Sequence, residues 1–411
     1  MSKTEMNRKG WQTKTLGALA TLSGRIGWKG LTAKEYTVDG PLFLSVHSLN
    51  YGDYVDFRDA FHISRQRFEE SPEIVLQSGD VLICKDGAGI GKLGIVGALP
   101  FESTINSSLL LIRAGKEILP KYLYRCLSSP YFQQIVLSKL NGATTPHLYQ
   151  RDITEFPIHF PSVKEQERIV AILDEAFEGI ATAKANADKN LQNAQEFIDS
   201  WMQCQFTSGG KQWIRVRLGD TGASISTGPF GTMLHKADYV EDGIPLVNPM
   251  NIEGSTIVPS SKMMVSPSTK KRLESYILRK GDVVIARRGE LGRCAVVTKE
   301  EEGWLCGTGS FFVRLSNRID EHYFTALFRS RALRNVLDQN SIGTTMSNLN
   351  HGILNALELF LPPVQEQREI MARADELTAE IDRLRTNNQQ RIKQLDGLKQ
   401  SLLNQAFTGK L

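Results

Sequence analysis

The sequence predicts an α/β (α+β) protein: two similar globular domains separated by two long antiparallel coiled-coil helices, forming an internal repeat with pseudo-twofold symmetry. Three observations lead there. Most of the chain is written twice at a near-constant offset. Each copy ends in a long segment with heptad-spaced apolar residues and no proline after its first residues. Each copy also carries short apolar runs punctuated by glycine, the signature of strands and turns.

The repeat comes first, because it organises everything else. Trp11 and Leu16-Gly17 of WQTKTLG return as Trp213 and Leu218-Gly219 of WIRVRLG, and Gly79-Asp80-Val81 returns as Gly281-Asp282-Val283, both at an offset of 202. The next loop is GAGIGK in the first copy and GELGR in the second, one residue shorter, and the offset becomes 201. It then holds for Gly91-Lys92 with Gly292-Arg293, for Gly142 and Thr144 with Gly343 and Thr345, and for Pro161, Val163 and Glu165-Gln166 with Pro362, Val364 and Glu366-Gln367. Asp174-Glu175 pairs with Asp375-Glu376, and Phe206-Thr207 with Phe407-Thr408. Such a period far exceeds solenoid lengths. It implies two whole domains, each with the same tail, and two similar surfaces suited to a ligand with two half-sites.

In the first tail, apolar residues step by four and three through Ile169, Leu173, Ala176, Ile180, Ala183 and Ala187, then Ala194, Phe197 and Trp201. The second runs Ile370, Ala374, Leu377, Ile381, Leu384, then Leu395, Leu398 and Leu402. These are heptad seams. Both turn polar midway, at Asn190 and at Asn388 with Arg391. A helix of about 40 residues is about 60 Å long, too long to bury its stripe in one small domain. The two are expected to pair antiparallel, which would place the domains at opposite ends and leave the outer faces free for other subunits. Such a hairpin brings Leu411 towards Trp11, imitating the internal join from QFTSGGKQW into Trp213. The expected organisation is a first globular domain over 1–158, a central long helix over 159–208, a second domain over 209–361 and a C-terminal long helix over 362–411.

Within the domains, strands are expected at Pro41–Val46, Val81–Cys84, Leu93–Val96 and Leu109–Arg113, and at Pro245–Asn248, Val283–Ala286, Cys294–Val297 and Phe311–Arg314. One helix per domain is expected, Lys121–Leu137 and Glu321–Leu337, with Pro130 breaking or kinking the first. The glycine loops Asp86–Lys92 and Arg288–Arg293 join two strands. Lys85 and Lys92 flank the first loop, and Arg287, Arg288 and Arg293 flank or occupy the second. Exposed glycines let a backbone approach phosphate, and arginine reads guanine or clamps phosphate with two parallel bonds. A plain hairpin with solvated charges is the competing reading for either loop alone; recurrence in both copies favours nucleic-acid contact. Arg65 and Arg67 in HISRQRF, and Lys270, Lys271 and Arg272 in STKKRLESY, are further basic candidates at roughly equivalent places. Phe230 and Lys236 in the glycine-bearing segment Ser226–Lys236 complete the set, although a structural turn explains that segment equally well.

The bulk composition is compatible with this reading. The chain has 411 residues, 41% hydrophobic and 23% charged, with a net charge of +4 that permits nucleic-acid binding without requiring it. Five scattered cysteines without a Cys-x-x-Cys pair argue against a disulfide framework or zinc knuckle. No apolar run is long enough for a membrane helix, and the start lacks the apolar core of a signal peptide; the scattered cysteines fit a reducing cytoplasm, the expected location. Catalytic motifs fail on inspection. GAGIGK has three residues between Gly87 and Gly91-Lys92 where a P-loop needs four, and Leu93 replaces the magnesium-binding hydroxyl. NPMN at Asn248–Asn251 lacks the second proline and the aromatic of the amino-methyltransferase motif. The seven histidines form no metal set, and Cys84 and Cys204 are expected to pack as small hydrophobes. His147 in GATTPHL is the most tempting catalytic residue, but its counterpart is Asn348, which cannot transfer a proton.

Taken in order and twice over, WQTKTLG and WIRVRLG, SGDVLI and KGDVVI, GATTPHL and GTTMSNL, FPSVKEQERI and LPPVQEQREI, and FTSG and FTGK resemble the DNA-specificity subunits of type I restriction-modification enzymes. The resemblance spans essentially the whole chain; the second copy departs from it at Ser347 and Asn348, where the usual pair is Pro-His. It implies two target-recognition domains, each reading one half of an asymmetric bipartite DNA site. It also implies paired helices that fix the spacer and dock two methyltransferase (modification) subunits, joined for cleavage by ATP-dependent restriction/translocase subunits. S-adenosylmethionine, ATP and Mg would sit on those partners, and this chain would hold no catalytic residue, cofactor or metal of its own. The alternatives are a DNA methyltransferase or nucleotide-dependent enzyme with a degenerate site, or a coiled-coil scaffold that does not touch DNA.

Overall fold

A computed structural model of the chain describes residues 10–25, 31–140, 147–207, 212–230, 233–289, 292–340 and 349–411. The repeat residues Gly142, Thr144, Gly343 and Thr345, with Ser347 and Asn348, lie outside them. The chain forms two compact units, one running to Ala187 and resuming at Asn388–Leu411, the other Asp188–Asn387. Each long helix therefore gives its first half to one unit and its second half to the other. Among the described residues, no helix is long and apolar enough to cross a membrane.

In unit 1 the strands are β1 Gln12–Thr15, β2 Ala20–Gly24, β3 Tyr36–Leu44, β4 Phe61–Ile63, β5 Val81–Cys84, β6 Leu93–Ile95, β7 Ser103–Ile105, β8 Leu109–Ala114 and β9 Pro157–Phe160. The helices are α1 Leu16–Leu19, α2 Arg65–Glu69, α3 Pro120–Leu127, α4 Pro130–Leu140, α5 Gln150–Thr154 and the first half of α6, Val163–Thr207. The central sheet has the order β2–β8–β5–β6, all antiparallel. All four residues of β5 are buried, as an uninterrupted apolar run requires when both faces are covered. Val81 and Ile83 face a core with Tyr122, Leu123, Ile169 and Leu173. Leu82 and Cys84 face a second core with Leu44, Leu49 and Ile105. A second sheet, β4–β3–β7, pairs β3 antiparallel to β4 and parallel to β7.

Unit 2 repeats the plan. Its strands are β10 Ile214–Arg217, β11 Ser224–Thr227, β12 Tyr239–Val240, β13 Ile244–Val247, β14 Ile252–Glu253, β15 Thr256–Ile257, β16 Met264–Val265, β17 Val283–Ala286, β18 Cys294–Val296, β19 Leu305–Cys306, β20 Ser310–Arg314 and β21 Glu358–Leu361. Its helices are α7 Pro267–Arg272, α8 Glu321–Arg329, α9 Arg331–Asn340, α10 His351–Asn355 and the first half of α11, Val364–Phe407. The central sheet is β11–β20–β17–β18, and β13 runs parallel to β19 as β3 does to β7. In both units the first strand closes on the last, β1 on β9 and β10 on β21. This pairing spans a whole domain and leaves no local signal in the sequence.

The recurring motifs turn out to be structural devices. Gly79 and Gly281 have φ of 91° and 86°, which L-residues rarely adopt. The aspartates that follow are almost fully buried. Asp80 accepts from Arg113 through two bonds of 2.7 Å, and Asp282 from Arg314 at 3.2 Å. Each arginine also donates to a backbone carbonyl at 2.8 Å, that of Val75 or Ile277. Gln166 and Gln367 are wholly buried at the start of the long helices. Gln166 accepts from the Leu119 N–H at 2.9 Å and donates to the carbonyls of Glu117 and Pro161 at 2.9 and 3.0 Å. Gln367 treats Asp320, Arg318 and Pro362 the same way. Each glutamine thus fastens a long helix to its own globular domain.

The far ends of the helices fasten to the other copy's equivalents. Phe407 packs edge-on against Tyr122 at 5.2 Å, and Phe206 against Tyr323 at 5.6 Å. Within unit 1 the two helix halves run antiparallel: Lys184 pairs with Asp396 at 2.5 Å, and Arg168 donates to the Leu411 carbonyl at 3.1 Å. Asn388, in the polar middle of the second seam, donates to the Ala187 carbonyl of the first helix at 2.7 Å.

The structure bears out one expectation and corrects two. The first domain helix is broken at Ser128-Ser129, just before Pro130, as expected, and the second is also two helices, broken at Ser330. The second break needs no proline, because Ser330 is extended and its hydroxyl accepts from the Leu333 N–H at 3.3 Å. The seams also drift: Phe197 and Leu398 are exposed while Ile198 and Leu403 are buried. A straight helix slips about 20° per heptad against a strict repeat, enough to hand the seam to the neighbouring residue.

Candidate nucleic-acid interface

Each glycine loop follows the fully buried central strand. In unit 1 the Gly91 N–H bonds the Cys84 carbonyl and the Cys84 N–H bonds that of Lys92, both at 2.9 Å. Gly91 and Gly292 have φ of 86° and 89° and sit against α4 and α9, where an added Cβ would strike Gln133 or Arg334. Hairpin geometry and packing account for these two glycines. The hairpin is crossed by the segment entering α5 or α10: the Leu148 N–H bonds the Lys85 carbonyl at 2.9 Å, and Leu349 bonds that of Arg287 at 3.0 Å. His147 hydrogen-bonds Asp86, and its ring meets the exposed Tyr149 edge-on at 4.6 Å. Arg151 lies over the same tyrosine, 4.8 Å from its centroid.

Beside each hairpin lies a short 3₁₀ turn, Val46–Leu49 or Pro249–Asn251. The Asn106 and Gly307 N–H groups bond the carbonyls of Leu44 and Val247, so the turns occupy matching places. Their second and third residues show it: Ser48 and Asn251 are buried, while His47 and Met250 are exposed. Lys92 and Arg293 hold these turns. Lys92 donates to Asn50 at 2.7 Å. One Arg293 nitrogen donates to the carbonyls of both Pro249 and Ile252 at 2.6 Å.

The remaining candidates divide by partner. Arg65 is paired with Glu102 at 2.5 Å, and Arg67 with Glu35 at 3.1 Å and with Glu70, so neighbouring carboxylates already balance both charges. Arg272 bonds Asp238 at 2.5 Å and the Met233 carbonyl at 2.8 Å. It thereby joins α7, with Lys270 and Lys271, to the loop carrying Phe230 and Lys236. Phe230 is 60% exposed, and Lys236, Lys271 and Arg288 are exposed with no acidic partner among the described residues. Lys85 is half-buried, and Arg287 lies 5.9 Å from the Phe311 ring centroid. One feature escaped the sequence reading: Arg58 stacks 4.2 Å from the Tyr51 ring centroid in a loop that also exposes Tyr54. The interleaving of aromatic, acidic and basic residues in NYGDYVDFR was the available signal.

Burial pushes the Cys126 and Cys294 thiols up to about 12 and raises Cys84 as well. They are core hydrophobes. Cys204, expected to pack likewise, is exposed on α6. Among the described residues, no group of three or more His, Cys, Asp or Glu side chains is placed to hold a metal ion.

The mixed α/β unit occurs twice, each copy with the same hairpin and turn and followed by a long helix, which defines the class of internally duplicated two-unit proteins. The profile of the type I restriction modification DNA specificity domain matches both copies, over residues 8–191 and 211–394, and the chain belongs to that family. It is 23% identical to the StySPI specificity subunit of Salmonella potsdam, over 99% of this chain and 91% of that protein. It is 22% identical to the EcoKI specificity subunit of Escherichia coli K12, over 98% and 89%. The HsdS subunit from Thermoanaerobacter tengcongensis shares the fold with a TM-score of 0.65 at 19% identity, covering 98% of each chain. A chain from a structure that addresses complex assembly and conformational transition of the type I R-M system does so with a TM-score of 0.68 at 20% identity, covering 98% of this chain and 99% of that one.

Proposed function

We propose that this specificity subunit reads an asymmetric, bipartite DNA site, one half per unit, and that its long helices set the spacer between the halves. The observation that carries the reading is a framework built twice with different exposed residues. The braced turn offers an imidazole at His47 in one unit and a thioether at Met250 in the other. The hairpin begins with Lys85 in one and Arg287-Arg288 in the other. Equivalent geometry with unlike chemistry suits half-sites of unlike sequence. Lys85, Arg287, Arg288, Lys236, Lys270, Lys271 and Phe230 are the proposed contacts. Lys92 and Arg293 hold the turns in place, and Arg65, Arg67 and Arg272 act mainly through their ion pairs.

The subunit works without catalysis of its own in the cytoplasm, where two methyltransferase subunits and the restriction/translocase subunits supply S-adenosylmethionine, ATP and magnesium chemistry. Exposed apolar side chains on the long helices, Phe197, Leu384 and Leu398, support a docking role. The spacer claim is tested by inserting one heptad after Ala187 and another after Asn387, which preserves the seam. The added length of about 10 Å corresponds to about three base pairs. Methylated sites in the altered strain should carry a spacer longer by that amount; an unchanged spacer would contradict the proposal.

A further inference from the structure

The two copies part company where the end of the hairpin meets the break between the paired domain helices. In unit 1 this place is filled from within. Arg125, almost buried on α3, donates to Asp53 at 2.5 Å and to Asp174 at 2.8 Å, and stacks 4.6 Å from the Phe177 centroid. Lys121 completes the group by pairing with Asp174 at 2.7 Å. Both the base and its acids come from this chain.

Unit 2 has Ala326 in register with Arg125 and His322 in register with Lys121. The result is a cleft of about 850 Å³, with Arg293, Arg329, Arg331 and Arg334 in its lining. Their counterparts in unit 1 are Lys92, Ser128, Pro130 and Gln133, so three uncharged positions have become arginine around one cavity. Arg293 is committed to backbone carbonyls. Arg329 and Arg331 have no acidic partner among the described residues. Asp199 on α6 is the carboxylate in the lining, beside apolar Met202 and Phe206. Crowded guanidinium groups repel one another, and an anion relieves that repulsion.

We propose that this cleft binds an acidic peptide segment of a partner protein, whose carboxylates occupy the arginine forks as Asp53 and Asp174 occupy Arg125. The inference rests on reading the chain as a subunit of a multi-protein assembly. Guanidinium groups grip carboxylates through paired bonds. Met202 and Phe206 on α6 add an apolar surface to the lining, which suits the side chains of a peptide and offers nothing to a sugar-phosphate backbone. Its volume falls in the range of ligand-binding clefts.

The test uses the full chain and a fluorescein-labelled hexaglutamate peptide followed by fluorescence anisotropy, with hexaglutamine as the uncharged control. Two variants are compared: Arg329→Gln with Arg331→Gln, which removes the unpaired charge, and Ala326→Arg, which fills the space while leaving every native arginine. Hexaglutamate should bind the native chain, and both variants should weaken it by at least about tenfold, with recognition of the duplex site unchanged. Failure of the native chain to bind, or equal binding by all three proteins, would overturn the proposal. Parallel loss of peptide and duplex binding in the variants would overturn it in favour of a DNA-phosphate site. Lack of duplex recognition by the native chain would instead count against the DNA-reading function and leave the peptide result standing.

Discussion

Arg293 and Arg288 are five residues apart in one hairpin, and the structure gives them opposite tasks. Arg293 donates from one nitrogen to two carbonyls of the Met250 turn, at 2.6 Å each. A hydrogen bond from a charged group contributes about 1.5–3 kcal/mol. Because the two bonds share a nitrogen and the side chain is half-buried, Arg293→Ala should cost about 2–3 kcal/mol in total. For a unit of this size that lowers the unfolding midpoint by about 5–10 °C. Arg293→Lys keeps a charged donor at the end of the side chain, as Lys92 does in unit 1, and should lose less than Arg293→Ala. Arg288→Ala removes an exposed, unpaired charge and should leave stability within about 0.5 kcal/mol. If Arg288 touches a phosphate, its loss lowers the slope of log binding constant against log salt by about 0.9. Calorimetric unfolding and duplex titrations at several salt concentrations measure both effects. A stable Arg293→Ala chain with a reduced slope, or an unstable Arg288→Ala chain with an unchanged one, would refute the division of labour.

Two further predictions concern the frame. Gln166→Leu should orphan the Leu119 N–H and the Glu117 and Pro161 carbonyls, and Gln367→Leu their equivalents. Urea unfolding should show a loss of about 2–3 kcal/mol for each; stability equal to the native chain would remove the glutamines from the helix attachment. Burial pushes the Asp53 carboxyl up, but Arg125 and Lys399 more than reverse this. Asp174 is likewise raised by burial and brought below its ordinary value of 3.8 by Lys121 and Arg125. Carboxylates with depressed folded values stabilise fully above the unfolded value and lose that contribution as pH falls through the folded one. Unit 1 should therefore weaken below about pH 4, and Arg125→Met should flatten this dependence. An identical acid profile in that variant would sink the assignment.

The most legible features in the sequence were those whose cause is local or repeated. Val81–Cys84 and Val283–Ala286 are strands at the expected residues because an unbroken apolar run buried on both faces leaves little choice. The long helices follow from their heptads. The β1–β9 pairing was hidden because its two strands are about 140 residues apart and mostly exposed on the first. The break at Ser330 was hidden because a serine cap competes with a helix only once tertiary packing turns the chain there.

Charge was visible in the sequence and its partners were not. Arg65 and Arg67 read as free cations until Glu102 and Glu35 arrive from other elements and Glu70 folds back from the end of the same helix. Lys92 and Arg293 read as phosphate contacts until their acceptors, an amide oxygen and two carbonyls, are placed beside them. The arginines of RSRALR show only as a charge run until Ala326 opens a space next to them.

Methylated bases mapped across the host genome, with and without this chain, report both half-sites and the spacer in one measurement. The expected motif has two unlike halves around a fixed unspecified spacer and is present only with the chain, and substitutions in unit 2 such as Met250→His alter one half and spare the other. A contiguous motif, methylation that persists without the chain, or a substitution that changes both halves together would contradict it.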